Sequence, residues 1–405
     1  MRQVTSLYEQ ILDYSSRADP YPLYRELRKK PVSREEDGTY IVSTYQDIVS
    51  LLHDPRVSSD PHNFPEGHPR RRGEVLGGFI ALDPPDHDRV RRQTMRHFGP
   101  PHDPGRVDGM RPWFAEVVTS LIDGFADRQG VDIVDDFAYP FPVTVICRLL
   151  GVPREDEPRF RSWVDSIVQT LDPRLGRDPE HERKRDQAMT EFGGYMAQLA
   201  DAHRRQPGED MLSGLVTDPG PEGPLSQDEL IGTARLLLIA GHETTVNLIT
   251  NGVLTLLRYP DVLERMRREP DMVVGAVEEM LRYEPPVHLL PNRVALDDID
   301  IAGRTIPKGS PIVLVLASGN RDPNRFNDPD RFDPEREDNQ HLGFGSGVHS
   351  CFGAALARTE TQIALPELTR RLENPRLVAD PPEYRESAIL RGPRHLAIEF
   401  DRVKS

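Results

Sequence analysis

The sequence predicts a mainly α-helical protein with small β-sheets. Three observations carry this. Apolar residues recur at helical spacing through most of the span from about 86 to 285. Stretches with strand character are few and short: GTYIVST at 38–44, DIDIAG at 298–303 and PIVLVLA at 311–317. After the last of them comes NRDPNRFNDPDRFDPERE, a Pro- and Asp-rich run that neither helix nor strand tolerates.

In chain order, PYPLYRELRKK reads as a helix, GTYIVST as a strand and YQDIVSLLHD as a helix. Residues 57–80, rich in Ser, Pro, Gly, His and Arg, read as a long loop. Within that loop HPRRRGE is either a solvated stretch or a greeting site for a carboxylate or a carrier protein. TLDPRLGRDPEHERKRD, at 170–186, reads as a mobile, charged lid between two helices. The longest helical pattern is LSQDELIGTARLLLIAGHETTVNLITNGVLTLLRYP, opened by a Ser226–Glu229 capping box and closed at Pro260. DIDIAG and PIVLVLA read as a strand pair joined through GRTIPKG. A final helix follows Cys351, and Pro366 within it predicts a kink or break there.

A chain of 405 residues holds two or three average domains or one large core able to enclose a cofactor. No repeat or linker marks a boundary, so the expectation is one unit over 1–405. Its parts are a mixed α/β region to about 85, a helical region to about 285, and strands, turn segment and cysteine loop beyond. Two cysteines cannot build a disulfide framework, which points to a reducing cytoplasm. No apolar run reaches the roughly 18 residues of a membrane span, and the first residues lack signal-peptide character. The net charge of −15 (51 basic against 66 acidic residues) argues against nucleic-acid binding. DHDRVRRQTMRHF is a basic exception, either a solvated helix face or a docking surface for an acidic partner.

GFGSGVHSCFGAALAR, residues 343–358, holds one of the two cysteines. Cys351 precedes a helix-forming run, so helix-end N–H groups and the dipole favour a thiolate there. Gly345, Gly347 and Gly353 let the loop backbone approach a flat partner. A lone thiolate makes a poor zinc site, which wants four ligands, but suits a haem iron. A buried structural cysteine in a turn is the plain alternative. Phe344, Gly347, Cys351 and Gly353 match F-x-x-G-x-x-x-C-x-G, and in this the chain resembles the cytochrome P-450 family, in its soluble bacterial form.

The resemblance covers essentially the whole chain and implies the family's triangular haem-thiolate helical fold, with haem b on Cys351. AGHETT resembles the family's oxygen-activation motif. Gly241 weakens the helix, where the family needs a local break, and the Thr244 hydroxyl competes for the Ala240 carbonyl. Glu243 beside it completes an acid–alcohol pair for passing protons. HET could also be half of H-E-x-x-H, but the second histidine position is Val246; the threonines could also simply pack a buried helix.

Glu279 and Arg282, three apart on one helix face, resemble the family's E-x-x-R pair, with Arg336 as the implied third member. Glu264–Arg267 and Glu182–Arg185 share the spacing without the context. His87, Arg91, Arg293 and His349 match the positions that hold the haem propionates. Implied pocket walls include Phe79, Leu237, Val287, His288, Leu289, Leu290, Ile389 and Leu390. Arg89, Arg92, Arg96 and Arg358 would lie on the thiolate side, where a ferredoxin docks. No flavin or nicotinamide domain remains, so electrons would come from NAD(P)H through a ferredoxin reductase and ferredoxin. The resemblance implies a monomeric monooxygenase acting on a hydrophobic small molecule: a secondary metabolite such as a polyketide, a terpenoid, a steroid or a fatty acid. A peroxygenase and a non-catalytic haem sensor are the rival readings. An intact Glu243–Thr244 pair argues against the first, and the lack of residues for an output domain against the second.

Overall fold

The structure, a computed structural model, describes residues 6–72, 77–99, 104–172, 174 and 178–404. Its spine is the 32-residue helix Gln227–Arg258, opened by the expected capping box: Ser226 accepts from the Glu229 N–H and Glu229 from that of Ser226. The helix is buried on almost every face, as its Leu, Ile, Val and Thr content requires. Pro140–Leu150, Val273–Tyr283 and Ala354–Arg371 pack around it. The turn at 78–81 approaches so closely that a Cβ on Gly78 would stand 3.0 Å from the Gly232 carbonyl. Gly78 also has φ of +62°, so glycine is needed twice over.

Beside this helical body, a five-stranded sheet is ordered Val32–Arg34, Tyr40–Val42, Pro311–Leu314, Leu290–Ala295, Val57–Ser58. Tyr40–Val42 and Pro311–Leu314 run parallel, the other pairs antiparallel. A satellite apolar cluster lies under this sheet. The expected pairing of DIDIAG with PIVLVLA is corrected. Ile299–Ile301 forms a hairpin with Arg304–Ile306, and Pro311–Leu314 enters the main sheet. The turn at Ala302–Gly303, both at positive φ, returns the chain too soon for the longer reach.

Neither expected helix break occurs. Gln227–Arg258 runs unbroken through Gly241, and Ala354–Arg371 runs unbroken through Pro366. Around Pro366 the packing of buried Ala364, Leu365 and Leu368 outweighs one lost backbone bond. The segment expected as a lid is largely helical from Pro179, within Pro179–Arg205; its residues Pro173 and Leu175–Arg177 lie outside the described residues. The same holds for 73–76 of the early loop, whose described part carries only a two-residue strand and short 3₁₀ turns. A helix at Leu7–Leu12 precedes those foreseen.

Glu279 and Arg282 pair at 2.7 Å with neither side chain exposed. Arg282 also donates to the carbonyls of Asn320, Pro329 and Arg331, while Arg336 Nε lies 3.3 Å from Glu279. This network ties the Val273–Tyr283 helix to the Pro- and Asp-rich turn segment that leads to the cysteine loop. By contrast Arg185 pairs with Asp186, and Arg267 serves helix-end carbonyls besides Glu264.

Candidate active site

The loop 343–353 crosses the floor of a cavity of about 1190 Å³ that reaches up to the long helix. The Cys351 N–H donates to the Phe344 carbonyl (2.9 Å), closing the loop. Three of the four loop glycines divide by role. A Cβ on Gly347, whose φ is +71°, would sit 2.2 Å from the Leu52 carbonyl, so this glycine serves a backbone contact. Gly345 and Gly353 have nothing within 4 Å of such a Cβ and both face the cavity, leaving room for a flat group. The Cys351 sulfur is open to the cavity yet enclosed by protein. Burial pushes its thiol up; the Gly353 N–H and the guanidiniums of Arg91 and Arg358 pull it down.

Cations gather on one rim of the cavity. Arg91 donates to the Ser350 carbonyl at 2.8 Å. Arg293 is only 4% exposed, and burial lowers it to about 10, with Asp83 alone opposing. His349 is driven down to about 3 by burial and then by Arg293, His87 and Arg91. Its Nε2 meets Ser59 Oγ at 3.0 Å, while its Nδ1 is buried without a partner. His87 stands one layer behind, its ring 4.4 Å from that of His349 and its Nε2 likewise unpartnered. Orphaned nitrogens beside two desolvated guanidiniums are what a buried dianion would satisfy. These residues fit a haem: one sulfur for its iron, open glycine backbone against its plane, and four cationic or protonatable groups for its carboxylates.

On the opposite wall Leu237, Ala240, Gly241, Thr244 and Thr245 face the cavity. Gly241 admits Ile146, whose Cδ1 would lie 3.1 Å from a Cβ there. Thr244 Oγ1 donates to the Ala240 carbonyl at 2.7 Å, the competition its position predicts. Glu243 does not face the cavity; it points behind the helix, 3.2 Å from Arg385. Phe79, Val287, Leu289, Leu290, Ile389 and Leu390 complete the walls. The expected pocket residue His288 is a correction: it is fully buried away from the cavity, its Nδ1 2.8 Å from the Tyr24 hydroxyl. Alternation along an extended segment turns it outward between Val287 and Leu289.

The four arginines expected to greet a partner each have a carboxylate already. Arg89 pairs with Glu229, Arg92 with Glu222, Arg96 with Asp218 and Arg358 with Glu278. Four groups near the site went unforeseen: Glu360, buried and facing the cavity, and Tyr139, Asp165 and Arg385 behind the long helix. A lone acid on a helix or a lone arginine in a loop carries no signal that would have singled them out.

Sulfur below and threonine above, with cations at one rim, define a haem-thiolate protein by class. A profile of the cytochrome P450 family matches residues 8–400, and the chain belongs to that family. It is 40% identical to the cytochrome P450 monooxygenase PikC of Streptomyces venezuelae over 95% of this chain and 92% of that one. It is 36% identical to the 6-deoxyerythronolide B hydroxylase of Saccharopolyspora erythraea, over 96% and 97%. Among solved structures, ligand-free CYP164A2 of Mycobacterium smegmatis aligns with a TM-score of 0.89 at 40% identity, over 97% and 99%. The chain is a P450 monooxygenase with the haem cofactor that the family implies.

Proposed function

We propose that this chain folds as one unit over 1–405 and, working in the cytoplasm as a monomer, takes electrons from a ferredoxin and hydroxylates or epoxidises a hydrophobic secondary metabolite, steroid, terpenoid or fatty acid. The observation that carries this is the placement of Cys351 and Thr244 on facing walls of one largely apolar cavity. The substrate class draws on the cavity's apolar upper walls and on relatives named as a monooxygenase and a hydroxylase. Among the described residues, no helix is long and apolar enough to cross a membrane.

Cys351 would hold the iron, and Arg91, Arg293, His87 and His349 the propionates. Bound there, the haem supplies reductive activation of dioxygen for insertion of one oxygen atom into a C–H or C=C bond. Leu237, Val287, Leu289 and Leu290 exclude water and press the substrate over that centre. Thr244 keeps its hydroxyl proton on the Ala240 carbonyl, within one rotation of the cavity. Glu243 is the acid that replenishes it.

The test is optical. Purified ferric protein is titrated with a panel of hydrophobic scaffolds, then supplied with NADPH, ferredoxin reductase and ferredoxin. A Soret shift from low towards high spin, followed by substrate-dependent oxygen uptake and an oxygenated product, is the expected result. A haem-loaded protein that never consumes oxygen with ferredoxin overturns the electron route.

A further inference from the structure

Behind the long helix, on the side away from the substrate cavity, lies a second polar site. His242 Nε2, the Tyr139 hydroxyl and Arg385 Nε are buried without a hydrogen-bond partner, and the Glu243 carboxylate, with no well-aligned hydrogen bond, is ion-paired to Arg385 at 3.2 Å with the Asn247 amide beside it. Buried polar atoms are nearly always bonded, so this concentration is a setting suited to ordered water and proton passage. None of these five residues faces the substrate cavity, although Thr244, Thr245 and Leu248 of the same helix do. Among the described residues, charged and titratable groups surround Glu243 and His242 from three elements. Arg385 and Arg394 come from the C-terminal loop, Asp165 and Arg161 from the helix Glu157–Gln169, and His242 from its own helix. Burial pushes both Glu243 and Asp165 up, and Arg385 opposes this in each.

The loop that carries Arg385 also forms part of the substrate wall. Residues 383–394 fold back on themselves: the Arg385 N–H donates to Gly392 and the Arg394 N–H to Glu383. Ile389 and Leu390 at its tip face the substrate cavity. Gly392 stands so close to Asn247 that a Cβ would lie 2.2 Å from its Oδ1. One short loop therefore touches the substrate space with its tip and grips Glu243 with its stem.

We propose that this loop makes proton delivery conditional on substrate: a ligand that presses on Ile389 and Leu390 loosens Arg385 from Glu243, which then turns towards Thr244 and delivers its proton there. Glu243 regains a proton from the polar site, with Asp165 as the acid on its outer side. Arg385 is thus a positioning residue, acting through Glu243. The inference rests on the reading of Glu243 and Thr244 as the proton-passing pair.

The experiment is infrared difference spectroscopy of the ferric holoenzyme with and without saturating econazole, an azole bulky enough to fill the cavity while ligating haem iron. Glu243→Gln assigns the carboxyl band, and the pH is titrated in each state. Loss of the Arg385 cation raises a carboxyl's proton affinity, so econazole should move the Glu243 titration upward by about one pH unit, a tenfold change. In Arg385→Gln the titration should start already raised and ignore econazole, and Arg385→Lys should restore the response. In Ile389→Ala/Leu390→Ala econazole should still shift the Soret band while the Glu243 titration no longer follows. A wild-type titration indifferent to bound econazole, or an Arg385→Gln protein that responds like wild type, overturns the proposal. A protein with no Soret shift for any azole would instead overturn the haem-thiolate reading itself.

Discussion

At Thr244 the hydroxyl donates back to Ala240, a bond that slightly weakens a helix rather than supporting it. Thr244→Ala should therefore fold with stability within about 0.5 kcal/mol of wild type. Its product formed per dioxygen consumed should fall severalfold while oxygen uptake continues, which parallel product and electrode assays would read. Arg293 yields a prediction of two signs. Its guanidinium is buried, bonded to Asn292 and with Asp83 as the one acid acting on it, an arrangement that costs the haem-free protein and serves a bound dianion. Arg293→Met should raise the melting temperature of the haem-free form and speed haem loss to apomyoglobin about tenfold. An unchanged loss rate would remove Arg293 from the cofactor's partners.

Among the elements, what the sequence disclosed were local devices. The Ser226–Glu229 box and the Glu279–Arg282 spacing each involve residues three apart, so linear reading sufficed to find them. Strand partnership was not legible, since PIVL pairs with Tyr40–Val42 from the other end of the chain. The unbroken helices at Gly241 and Pro366 show the same limit, because tertiary packing overrode local propensity at both. In the site, the motif residues were recognisable, whereas the facing of Glu243, His288 and Gly347 depended on neighbours far off in sequence. Gly275 shows how such neighbours reverse a propensity rule. Alanine is the better helix former, yet a Cβ at 275 would stand 2.2 Å from the Pro334 carbonyl. Gly275→Ala should destabilise by about 1–3 kcal/mol, seen as a lowered urea midpoint.

For the molecule as a whole, two adjacent acids bind the helical body to the cysteine loop. Glu279 neutralises buried Arg282, and breaking such a pair costs about 3–5 kcal/mol. Glu279→Gln should therefore leave little folded, haem-retaining protein in expression and absorbance assays. Glu278, against the upward push of burial, is held at about 2 by Arg358 and His341. A carboxyl depressed on folding contributes stability above its unfolded value, near 4.5, and loses it as pH falls towards 2. The stability gap between wild type and Glu278→Gln should be about 2 kcal/mol at pH 7 and shrink steadily below pH 4.5 in denaturant melts.

The contrast between the two cysteines reaches into bench practice. Cys147 is wholly enclosed in the core, its thiol pushed far up by burial, while Cys351 opens onto the cavity floor. To an alkylating reagent the folded chain without its cofactor is a one-thiol protein, and that thiol is the one the iron would claim. Iodoacetamide followed by mass spectrometry should mark the peptide containing Cys351 in empty molecules and spare it in filled ones. The labelled fraction would then count unloaded molecules in any preparation, with no need for colour.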